Sequence, residues 1–117
     1  MSLESDLMAV LLELCPRVVV GTAPENTVTP YVTWQHAGGD PLRYVDGSAA
    51  DKRKPEIQVN AWAATPLQAF ALIQQIEEAL CMASAFQAKP QSEPVGAYDD
   101  ADIASGYLQT FSILGAR

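Results

Sequence analysis

Apolar and polar positions along this chain fall into blocks of regular period, and the clearest pair of blocks lies between Pro55 and Leu80. Ile57, Val59, Ala61 and Ala63 alternate with Gln58, Asn60 and Trp62, the period-two pattern of a strand with one side buried. Thr65 then offers a capping hydroxyl and Pro66 the first helical position, where its missing N–H costs nothing. Ala69, Leu72, Ile73, Ile76, Ala79 and Leu80 recur at the three- and four-residue spacing of one helical stripe. The connection is so short that the helix is expected to fold back over the Ile57 and Val59 side of the sheet.

The flanking blocks extend this frame. Ser2 to Leu14 reads as an amphipathic helix with Leu3, Leu7, Val10, Leu11 and Leu14 on one stripe, and Pro16 stops it. Arg17 to Gly21 is β-branched enough for a short strand, whereas Thr22 to Pro30 has no period and reads as loop. Tyr31 to His36 alternates again, with Val32, Trp34 and His36 on one side and Tyr31, Thr33 and Gln35 on the other. Residues 38–55 then read as one long hairpin connection, expected to be mobile, that carries Leu42, Tyr44 and Val45 at its tip.

After the second helix, Phe86 to Lys89 is a candidate edge strand bounded by Pro90 and Pro94. Val95 to Ser105 is polar and acidic and reads as loop. Gly106 to Leu114 is a last strand with Tyr107, Phe111 and Ile113 on one side. Strands grouped with strands predict an α+β fold of a single domain, 1–117: an antiparallel sheet of about four strands with two helices packed on one face.

Composition narrows the function classes. A net charge of −7 works against general affinity for nucleic acid, which rewards Lys and Arg. No apolar run is long enough to span a bilayer, and Glu4, Asp6 and Glu13 stand where a secretory signal would be basic, so synthesis in the cytoplasm and no membrane partner are expected. Cys15 and Cys81 are the two cysteines; both are expected to be reduced core thiols, with a disulfide between them as the alternative.

Candidate chemistry is sparse, and no cofactor is expected. His36 is the single histidine, so a hydrolytic triad would have to use it, and a structural role at a strand end is the plainer reading. Asp99, Asp100 and Asp102 form a carboxylate cluster that lacks the remaining ligands of a calcium loop and reads as a solvated turn. Lys52-Arg53-Lys54 is the one basic run and suits contact with nucleic acid or an acidic partner, with plain solvation in a mobile loop as the plainer reading. Trp62 is more informative, because alternation turns it away from the helix-covered side, toward a second layer or a partner subunit, or else beneath the N-terminal helix or a loop.

Taken together, Gly21-Thr22, Pro30-Tyr31-Val32, the Gly-rich hairpin and Ile57-Gln58-Val59-Asn60-Ala61-Trp62-Ala63 followed by Thr65 and an Ala-rich helix resemble the tail completion, or tail-to-head joining, proteins of long-tailed bacteriophages and prophages. The resemblance covers roughly Arg17 to Leu80. It implies a non-enzymatic virion protein of α+β fold, assembling as a homo-oligomeric ring at the head-proximal end of the tail, with tail tube or head connector proteins as further partners. Leu42, Tyr44, Val45, Lys52, Arg53, Lys54 and Trp62 are then the expected interface, and an acidic ring lumen would let DNA pass without binding it specifically. The competing expectation is a small ligand-binding or enzymatic α+β domain in which His36 and the Asp99–Asp102 loop share a pocket.

Overall fold

The computed structural model describes residues 2–21, 23–24, 27–98 and 105–116. The chain runs α1 (Leu3–Leu14), β1 (Val18–Val20), β2 (Tyr31–Asp40), β3 (Lys52–Ala63), α2 (Pro66–Met82), β4 (Gln87–Pro90), β5 (Val95–Tyr98) and β6 (Ser105–Ala116). One six-stranded sheet carries the order β1-β2-β3-β6-β4, with β5 also paired to β6. The class is α+β, as expected, but six strands replace about four and the sheet is mixed, because β1 lies parallel to β2 while every other pair is antiparallel.

Both corrections have local causes. The segment 21–30 carries the chain from the end of β1 back to the start of β2, so Val18 pairs with Val32 and Val20 with Trp34 in the same direction. The region from Val95 expected to be loop supplies β5, four residues that pair Val95 with Leu108 and Tyr98 with Ser105. β6 is twelve residues long and outlasts any single partner, so β4 and β5 divide one of its edges between them.

The two helices form where their caps and stripes require. Ser2 caps α1 in a reciprocal box with Ser5, and Thr65 Oγ1 accepts from the Gln68 amide at 3.3 Å with Pro66 opening α2. Leu3, Leu7 and Leu11 of α1 and Ala69, Leu72, Ile73, Ile76 and Leu80 of α2 are buried. They meet Val32 and Trp34 of β2, Ile57, Val59 and Ala61 of β3, and Phe111 and Ile113 of β6 in one core. Burying each large aliphatic contributes about 1.5–3 kcal/mol, so this one layer holds most of the fold's stability.

The strands on either side of the hairpin run further than their alternation suggests. β2 continues through Gly38 and Gly39 to Asp40 by a register shift, and β3 begins at Lys52, so only residues 41–51 lie between them. Gly39 has φ +117, and a Cβ there would sit 2.6 Å from the Glu56 amide nitrogen and the Lys54 carbonyl oxygen, a place only glycine fills. Beyond it, Arg43 and Ala49 form a bridge, and Asp46 Oδ1 accepts from the Ser48 amide and hydroxyl at 2.9 and 2.7 Å. Those Ser48 bonds hold the Asp46 carboxyl below its ordinary range. The molecule measures 50 × 26 × 24 Å.

Candidate functional site

Alternation along β3 decides what each charge of the basic run can touch. Arg53 shares the side of Pro55 and Ile57 and reaches α1, where its Nη1 donates to both carboxylate oxygens of Glu4 at 2.7 and 2.6 Å. His36, on the same side of β2, places Nε2 3.0 Å from Glu4 Oε2 and its ring edge-on to Trp34. Burial pushes the Glu4 carboxyl up, but the His36 and Arg53 hydrogen bonds outweigh it and leave the group below its ordinary value. The trio therefore clamps the first turn of α1 to the hairpin.

Lys52 and Lys54 point to the opposite side of the sheet and are exposed. The expectation of three like charges in a loop is corrected accordingly: all three lie in a strand, and the two-residue period gives Arg53 a different environment from its neighbours.

Among the described residues neither helix covers that opposite side of the sheet. Its inner part is built from Val19 of β1, Tyr31, Thr33 and Gln35 of β2, Gln58, Asn60 and Trp62 of β3, Leu108 and Thr110 of β6, and Val95 of β5, brought side by side by the register. None of these residues is charged, although the chain holds 21 charged residues. Trp62 stacks on Tyr31 with ring centroids 6.1 Å apart and donates from Nε1 to Thr33 Oγ1 at 3.3 Å, while Gln35 and Gln58 bond across the strands at 2.7 Å.

Gly106 makes room for this tryptophan. A Cβ at Gly106 would lie 2.6 Å from the Trp62 ring, so glycine opposite Trp62 lets the indole lie flat on the sheet. Trp62 is half-buried by these neighbours, with both helices on the other side of the sheet.

Toward the hairpin the same side of the sheet changes character. A hollow of about 530 Å³ is lined by Asp40, Lys54, Glu56, Lys89, Ser112 and Leu114 among others, so its walls mix both signs of charge. At the tip beyond it, Val45 is fully exposed, Tyr44 is 57% exposed and Leu42 is half-buried.

The expected interface residues thus separate into three environments. Leu42, Tyr44, Val45, Lys52 and Lys54 stand on the hairpin, Trp62 lies on the uncharged patch near the other end of β3, and Arg53 is engaged inside the chain.

His36 stands far along the sheet from the described residues that bracket the predicted acidic loop. Asp99, Asp100 and Asp102 lie outside the described residues, but the ends that bracket them, Tyr98 and Ser105, pair with each other across from Ala63. His36 pairs with Ile57, six residues along β3, roughly 20 Å away at a strand's rise. Among the described residues no group of three His, Cys, Asp or Glu side chains is gathered as for a metal ion. Cys15 is buried, with Sγ near the Arg17 and Pro30 carbonyls, whereas Cys81 is exposed at the end of α2, so the expectation of two core thiols holds for one of them. Burial and the nearby Glu77 and Glu78 raise the Cys81 thiol, and the two cysteines are not bonded.

Sequence reading missed two features of the sheet, one on each side. Tyr31, Thr33 and Leu108 join Trp62 only through strand register, for which the sequence carries no local signal. Gln109, fully buried on the helix side of β6, donates from Nε2 to Glu77 Oε1 at 2.6 Å and to the Ser92 carbonyl at 2.8 Å, and so ties α2 to the turn before β5. Its alternation with Tyr107 and Phe111 was the available clue.

In comparison with known proteins, a family model described as tail completion protein gp17 matches residues 4–112. No curated protein matches the chain.

Proposed function

The chain belongs to the tail completion protein gp17 family, and we propose that it serves as a ring subunit at the head-proximal end of a long phage tail, joining tail to head. The observation that carries this reading is the family match across residues 4–112, which spans every element of the fold from α1 into β6. Several physical features support it. An uncharged sheet surface with Trp62 and Tyr31 has the charge depletion and aromatic content of an interface core. The hairpin offers Leu42, Tyr44 and Val45 with Lys52 and Lys54 at its root. Arg53 contributes indirectly, by holding the hairpin base to α1 through Glu4.

In this role the protein acts by shape, as a virion component of a phage or prophage made in the bacterial host's cytoplasm. Its partners are copies of itself and the tail tube or head connector. A net charge of −7 suits a lumen through which DNA slides, since fixed negative charge repels phosphates.

Electron microscopy of phage particles produced without this gene tests the reading. Filled heads and finished tails that stay apart are expected, and joined, infectious particles would overturn it. A tight, salt-sensitive complex of the purified protein with duplex DNA would separately overturn the lumen assignment.

A further inference from the structure

The charge of this protein is unevenly placed. The hairpin segment from Asp40 to Glu56 holds four acidic and four basic residues and is neutral, so the whole net charge of −7 resides on the rest of the chain. Copies of an acidic body repel one another, and surfaces that meet between copies are expected where that charge is absent. The described residues offer two such surfaces, at opposite ends of β3: the hairpin tip with Tyr44 and fully exposed Val45, and the uncharged sheet patch around Tyr31, Asn60, Trp62 and Leu108.

Resting on the ring reading, we propose that the hairpin tip of one copy docks on the uncharged sheet patch of the next. The occupant is a second copy of this chain, and charge supports the match at the rim as well as the centre. Lys52 and Lys54 flank the tip on the side of the open sheet surface and form no ion pair among the described residues, while exposed Glu93 stands two residues before Val95 of the patch. Because the two surfaces differ, the contact is head-to-tail, the kind that closes into a ring when the rotation between copies allows it. A contact between like surfaces would instead stop at a dimer.

Disulfide trapping tests this. Asn60 lies six residues along β3 from Lys54, roughly 20 Å, with the tip further still, so cysteines at Val45 and Asn60 of one chain cannot bond to each other. In a Cys81→Ser background, purified full-length Val45→Cys and Asn60→Cys chains are oxidised at millimolar concentration, separately and mixed. Both positions face solvent at least in part, and an unchanged circular dichroism melt confirms that each variant folds. The expected result is a disulfide dimer from the mixture and from neither chain alone, and a ladder beyond the dimer from the doubly substituted chain. Dimers from a single variant alone would show like surfaces meeting and overturn the pairing. Association of the parent chain in sedimentation, with no disulfide in the mixture, would overturn the pairing and leave the ring reading standing. Neither association nor disulfide at any concentration would also overturn the pairing, while the ring reading falls only to joined particles made without the gene.

Discussion

The two sides of one sheet carry opposite instructions in this protein. On the side toward the helices, Ile57, Val59, Ala61, Phe111 and Ile113 are fully buried and packed against α1 and α2. On the other side the intervening residues of the same strands, Gln58, Asn60, Trp62, Leu108 and Thr110, remain half-buried and uncharged. Adjacent residues of β3 thus answer to different demands: one set fixes the fold, and its neighbours leave the fold alone while presenting a surface of unusual composition for so acidic a chain. The lesson is that the demands of the core and the make-up of the open surface can be separated here by moving one residue along a strand.

The sharpest way to break that separation is Ile73→Asp, which puts a charge without a partner into the layer under the sheet. A loss of at least ~4 kcal/mol against a total of roughly 5–15 kcal/mol should leave the chain largely unfolded by circular dichroism. Gly39→Ala comes next. The positive φ and the clash with the Glu56 and Lys54 backbone should cost about 2–3 kcal/mol, read as a fall in Tm of several degrees, with the damage centred at the hairpin base.

Glu4→Gln probes the clamp between α1 and the hairpin. The folded carboxyl is held below its ordinary value of 4.5, so its contribution to stability is present above that pH and lost as the pH falls through the folded value. The Tm of the parent should therefore exceed that of Glu4→Gln near neutrality, and the gap should close in acid below about pH 4.5. A gap unchanged at acid pH would show that the carboxylate's ionisation is irrelevant to the clamp. Smallest of all is Asn60→Glu on the uncharged patch, which should move stability by no more than about 0.5 kcal/mol. A large loss of Tm there would mean that the open side of the sheet also carries the fold.

How much of this was legible in sequence depended on how local each signal is. Ser2, Thr65 and Pro66 cap and open their helices through contacts within one turn, and both helices stand where those residues put them. The inward residues of β3 followed from alternation alone, whereas for β2 and β6 alternation separated two sides without saying which is buried. β5 was hidden because Val95-Gly96-Ala97-Tyr98 has little strand character of its own and is held by the length of β6. The hairpin was overestimated because Gly38 and Gly39 look like a terminus, whereas they let β2 bulge and go on.

By itself, then, the sequence determined the α+β class, the caps, the buried side of β3 and the absence of charge on Gln58, Asn60 and Trp62, since these depend on neighbours within a few residues. Tertiary structure alone decided that β1 runs parallel to β2, that Arg53 meets Glu4 on a helix 49 residues away, and that Tyr31, Trp62 and Leu108 share one patch. Each of these is a pairing between distant segments, set by which packing buries the common core, and no local period encodes it.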